Sequence, residues 1–248
     1  MLESKDPTAR TIRLVLGTLA LATTACGGAQ VAKPDDFGEK TQRLETVGRD
    51  GDASEGEDAA FDVGPYSVRG VDRGLTFKGG FDDLDGFRPA PQRGYRFELR
   101  SRRKGSTTLQ GKCSERAAKT IEDLDGSRKV IEEEAALACI CEEPGTALTR
   151  FYVEDLGGQY GGPIAVAGVS GRVVGAYELD DGDRLVGRPA GFRIEDQEGT
   201  VAAGGILPGD TRVWIRQRLA EEDKQRLVCA LAGLMLWVPP AWPEPAED

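Results

Sequence analysis

The chain has 248 residues, with 42 acidic and 32 basic side chains, a formal net charge of −10, 33 glycines and no histidine. Without histidine, imidazole acid–base chemistry, Ser-His-Asp triads and most catalytic zinc sites are excluded, and the acidic balance opposes binding to nucleic acid or anionic lipid surfaces. The length is enough for a full hydrophobic core, and much glycine with few aromatic residues favours many short strands over a helix bundle.

At the N-terminus, Arg10 and Arg13 precede an apolar run, Leu14 to Ala22, followed by Thr23-Thr24-Ala25-Cys26-Gly27-Gly28. A basic flank, a short apolar core and small residues describe a secretory signal peptide over residues 1–25. A cysteine directly behind the small residues resembles the lipobox of bacterial lipoproteins, although that family usually has Leu at the position of Thr23. The resemblance implies that Cys26 becomes a lipidated mature N-terminus, carrying palmitate or a similar acyl chain. It places the protein in the cell envelope, and Gly28 two positions on points to the outer membrane rather than the inner. Plain cleavage after Ala25, leaving Cys26 a free thiol, is the alternative. Residues 1–25 carry a net +1, so the mature chain would stand at −11.

Residues 26–60 are polar and acidic, with hardly any large apolar side chain, and read as a disordered tether. Such a tether would separate lipid from domain by on the order of 30 Å. From Phe61 the pattern changes to short runs rich in Val, Ile, Tyr, Phe and Thr. Candidate strands are 66–71, 75–79, 95–100, 107–113, 129–133, 135–141, 148–154, 164–169, 172–179, 184–196, 200–206 and 211–218. Several alternate apolar and polar residues, as a sheet with one wet face requires. The stretch from Cys113 to Asp123, with Ser114-Glu-Arg-Ala-Ala-Lys119, is the exception and reads as a short helical excursion.

An acidic turn unit punctuates the strands: Asp82-Asp-Leu-Asp-Gly86, Glu122-Asp-Leu-Asp-Gly126 and Glu154-Asp-Leu-Gly-Gly158, with variants at 179–183 and 194–199. Asp side chains close such turns and Gly supplies positive φ, so these are hairpin turns. A calcium loop would need further ligands that are missing. The four remaining cysteines are Cys113, Cys139, Cys141 and Cys229. An even number in an exported domain predicts two disulfides. Cys139 and Cys141 face the same side of a strand, so one should join Cys113 and the other Cys229. A zinc site is the weaker alternative.

The run from Leu227 to Val238 has no polar face, is too short to span a bilayer, and follows Glu221, Glu222 and Asp223. It predicts a helix over 220–237 enclosed on every side by protein. A Pro-rich acidic tail, 239–248, follows. The expected fold class is therefore mainly β, one domain over 61–238. About twelve antiparallel strands would form a closed or nearly closed barrel around the C-terminal helix; a β-sandwich with a docked helix is the alternative. The order of elements, with Phe192 to Ala203, then Val213-Trp-Ile-Arg216, an acidic step and Leu227–Trp237, resembles the tubby-like family. That resemblance implies a twelve-stranded barrel around a central hydrophobic helix. The basic headgroup pocket of that family has no counterpart here.

No catalytic, cofactor or metal constellation emerges. The one dense basic run, Arg100-Ser-Arg-Arg-Lys104, reads as a solvated strand end. The leading expectation is a lipid-anchored, non-enzymatic binding or scaffold domain. It would meet the membrane through the lipid on Cys26 and an envelope protein as partner, with no nucleic acid. The alternative is a periplasmic hydrolase acting on glycans with two carboxylates from Asp82, Asp83, Asp85, Asp180, Asp181 and Asp183. A lipid carrier would require the helix to leave the lumen.

Overall fold

The computed structural model describes residues 29–37, 40–49, 60–77, 92–103, 105–124, 127–143, 146–166, 169–207, 209–210 and 212–237. Residues 1–25, for which a signal peptide was expected, Cys26, the turn at Asp82–Gly86, Lys104 and the tail 239–248 lie outside the described residues.

Twelve strands form the wall: β1 (Thr41–Val47), β2 (Phe61–Val63), β3 (Tyr66–Phe77), β4 (Gln92–Ser101), β5 (Leu109–Leu124) and β6 (Ser127–Glu143). They continue with β7 (Thr146–Asp155), β8 (Tyr160–Val166), β9 (Val169–Ala176), β10 (Gly191–Asp196), β11 (Gly199–Gly205) and β12 (Arg212–Arg216). Alternation decides which face turns inward. In β4, Tyr95, Phe97 and Leu99 are buried while Arg96 and Arg100 are exposed. Every strand from β2 to β12 pairs antiparallel with its sequence neighbours, and β1 lies between β2 and β12. The sheet thereby closes, and no strand edge is left along the barrel.

A single helix, α1 (Glu221–Leu236), runs through the lumen, and every residue from Leu227 to Trp237 is buried. The closed barrel, not the sandwich, is the fold. Burying the large apolar side chains of α1 contributes ~10–20 kcal/mol gross, before ordering entropy is subtracted. Two disulfides hold this core, Cys113–Cys139 across β5 and β6, and Cys141–Cys229 from β6 to the helix. The first is packed tightly on α1. A Cβ added to Gly233 would sit 3.2 Å from the Cys113 Sγ and 3.3 Å from the Cys139 Sγ, tighter than ordinary packing, so glycine suits the close approach of the helix to this bridge. At its far end α1 is closed by cations, which suit a helix C-terminus. Arg49 donates to the carbonyls of Gly205, Ile206 and Met235, and Arg73 to that of Leu236. Burial pulls the Arg49 pKa down to about 10, with Asp210 opposing.

Three expectations are corrected. The domain begins before residue 61. Residues 41–47 form β1, and Val31 and Phe37 are buried on the outer wall with Leu179, Ala203 and Trp214. Val31 donates its amide to Asp210, and Arg212 donates to the Val31 carbonyl and to Asp210. Further on, Thr200 donates both amide and hydroxyl to Asp36. Burial raises the Asp36 carboxyl, and these two bonds, with the Asp36 backbone amide and the charge of Arg193, more than offset it, so its pKa lies below the ordinary carboxylate value. This strap binds because its two apolar residues and two polar contacts coincide with a hydrophobic patch on the wall.

The helical excursion at Cys113–Asp123 is instead part of β5, which pairs with β6 along its whole length. Pairing overrides the helix propensity of Ser-Glu-Arg-Ala-Ala-Lys. Finally, twelve strands were expected and twelve form, but not the same twelve. Runs 66–71 and 75–79 merge into β3, runs 129–133 and 135–141 merge into β6, and β1 and β2 are additional. Past Glu115 in β5 and before Ala136 in β6, the two strands pair only with each other among the described residues, as a two-stranded ribbon running past the barrel.

Candidate functional site

The strand directions give the barrel two unlike mouths. The entry mouth, where α1 starts, collects the ends of β4, β6, β8, β10 and β12 and the starts of β5, β7, β9 and β11. The exit mouth, where α1 ends, holds the turn after β7, the long β9–β10 connection and the two arginines on the helix C-terminus.

The polar first turn of α1 does not fill the entry mouth, and a hollow flanks it on each side. The larger, about 400 Å³, lies between the β4–β5 loop, Glu143 and the helix. Its lining carries both charge signs: Arg103 and Arg226 against Glu143, Glu221 and Glu222. Arg103 is paired with Glu221 at 2.6 Å, and Arg226 with Asp223 at 2.9 Å. The Gln225 amide donates to the Thr107 carbonyl at 2.7 Å, which ties the loop to the helix. Tyr66 forms part of the wall. Burial, assisted by Glu221 and opposed by Arg103, pushes its phenol up to about 12, so it is a neutral donor at neutral pH. The smaller hollow, about 120 Å³, is lined by apolar residues including Ile164, Ile194, Leu219 and Leu227, with Asp196 and Asp223.

The basic run singled out in the sequence is absorbed into ion pairs: Arg100 with Glu98, Arg102 with Asp62, and Arg103 with Glu221. Of these only Arg103 belongs to the larger hollow. The turn acids serve their turns. Asp155 accepts from the Gly158 amide, Asp181 from Asp183, and Asp196 from Glu198. Asp180 pairs with Arg212. Asp82, Asp83 and Asp85 lie outside the described residues. Among the described residues no cluster of His, Cys, Asp or Glu could hold a metal ion. Tyr66, Thr107, Glu143 and Gln225 were not singled out beforehand. They come from four separate stretches, and only barrel closure brings them together.

No protein-family model, curated protein or solved structure matches the chain.

Proposed function

We propose that the protein is an exported, lipid-anchored binding domain of the bacterial cell envelope that takes a polar ligand or partner segment at the entry mouth. The observation that carries this reading is the solvent-open hollow of about 400 Å³ beside the first turn of α1. Its two arginines and three glutamates suit a ligand with both a cationic and an anionic group, such as a peptide backbone with charged side chains. The lipidated N-terminus rests on the lipobox-like stretch ending at Cys26.

A non-enzymatic role is favoured over paired-carboxylate hydrolysis by where the perturbed acids lie. A hydrolase needs one carboxyl held protonated next to a second in a cleft. Burial raises the pKa of Glu115 and of Asp155, and both are at the exit mouth, away from the two hollows. The deciding experiment places a photo-crosslinking residue at Ser106, in the hollow, and at Arg172, on the outer wall, in cells expressing the full chain. A single envelope component captured from Ser106 and not from Arg172 supports the reading. Equal capture from both positions removes the entry mouth as the site. Turnover of a glycan that is lost in Glu222→Gln would favour the hydrolase.

A further inference from the structure

Among the described residues three large apolar side chains are strongly exposed: Val186 at 93%, Val47 at 64% and Leu156 at 62%. Scattered apolar residues on a surface are ordinary. These three are not scattered with respect to the barrel, because all lie at the exit mouth. Val47 ends β1, Leu156 sits in the turn after β7, and Val186 stands in the β9–β10 connection.

The N-terminal strap reaches the wall at the same end. The Gln30 carbonyl accepts from the Asp180 amide at 3.0 Å, and Val31 bridges to Leu179, both beside the exit mouth. From there the strap runs along the outside towards Asp36 and Thr200, near the entry mouth. Cys26 is five residues before Val31. A chain advances at most ~3.6 Å per residue, so the five residues from Cys26 to Val31 can span no more than ~18 Å. No long tether separates a lipid on Cys26 from the domain.

We propose that the arc of the exit rim from β1 round to β7 is a membrane-contacting surface, with Val186, Leu156 and Val47 seated in the headgroup region of the bilayer that holds Cys26. The inference rests on the lipid-anchored reading above. Going round the barrel, this arc is β1, β12, β11, β10, β9, β8 and β7, and the β5–β6 ribbon rises from the remaining side. The barrel therefore sits tilted on one half of its rim, with the ribbon on the other. The entry mouth and both hollows then face away from the membrane.

The contact is apolar rather than electrostatic. Exposed Glu178, Asp181 and Asp183 outnumber Arg184 and Arg188 in the β9–β10 connection, so zwitterionic lipid suits this rim better than anionic lipid. Shallow insertion of a few apolar side chains beside a covalent anchor fixes orientation while the acyl chains supply affinity.

The test uses the full lipidated chain in phosphatidylethanolamine–phosphatidylcholine vesicles whose acyl chains are brominated near the headgroup. Tryptophan is introduced singly at Val186, at Leu156 and, as the opposite-mouth control, at exposed Ser170, with the wild-type emission subtracted. The expected result is quenching of Val186→Trp and Leu156→Trp and none of Ser170→Trp. Added anionic lipid should weaken the quenching. Lipid present on Cys26 by mass spectrometry, with no quenching at Val186, would overturn the inference alone. Dimerisation of the unquenched protein would assign the rim to a second copy instead, which also overturns it. Absence of lipid on Cys26 would overturn both this inference and the anchor.

Discussion

The phenolic oxygen of Tyr95 lies 2.5 Å from the carbonyl oxygen of Gly233 and donates its hydrogen to it, so the barrel wall bonds directly to the last turn of the enclosed helix. Arg73 sits 5.1 Å above the same ring. Burial first, then Glu115, holds the Tyr95 phenol well above its ordinary pKa, with Arg73 opposing, so the donor keeps its proton. Tyr95→Phe should cost about 1 kcal/mol, measured as a lowered urea midpoint at unchanged slope. The loss is limited because the Trp237 amide also donates to the Gly233 carbonyl.

The enclosure of α1 predicts how it responds to charge. At about 3.6 residues per turn, Val228, Ala230, Leu231, Ala232 and Leu236 point in directions spread round the whole circumference, and each is at most 1% exposed. Leu234→Ala should cost ~2–5 kcal/mol. Aspartate at any of the five should abolish folding, because an unpaired carboxylate would be buried. Two neighbouring positions that accept aspartate with no change in thermal midpoint would contradict a helix buried all round.

The two disulfides should differ in effect. Cys141–Cys229 closes a loop of 88 residues and Cys113–Cys139 one of 26. Loop entropy in the unfolded chain then gives ~4–5 kcal/mol for the first and ~3–4 kcal/mol for the second. Double serine variants compared by urea unfolding should show the larger loss for the pair at 141 and 229.

Glu115 makes a prediction in pH. Burial raises its carboxyl above the ordinary value, with Arg73 opposing. A carboxyl raised in the folded state stabilises fully below its unfolded pKa, and that contribution is lost as pH rises through the folded value. Glu115→Gln should therefore stabilise the protein at neutral pH. The gain should vanish below about pH 3, well under the unfolded glutamate value, where the wild-type carboxyl is protonated in both states. Urea midpoints of both proteins across this window would check it.

The all-apolar run at 227–238 made the helix legible, and the alternation in 95–100 and the Gly-rich acidic turns made most of the wall legible. β1 was hidden because Thr-Gln-Arg-Leu-Glu-Thr-Val buries only Leu44 and Thr46, and its strand state comes from filling the gap between β2 and β12. The strap was hidden for a related reason. Val31 and Phe37 are single apolar residues in a polar stretch, and the patch they cover is assembled from residues as distant as Trp214. The entry-mouth hollow left no local signal, since no two of Tyr66, Thr107, Glu143 and Gln225 share a motif.

The seam between β1 and β12 also sets a timetable. Thr41–Glu45 must find Arg212–Arg216, some 170 residues further along the chain. At synthesis rates of ~5–20 residues per second, the first strand waits roughly ten to thirty seconds for its partner. The helix that fills the lumen is made later still, so the strands have nothing to wrap until residues 221–236 have been added. A chain cut short before residue 221 would lack both the helix that fills the lumen and the Cys229 link. Closure of the barrel round its filler therefore waits on residues 221–236.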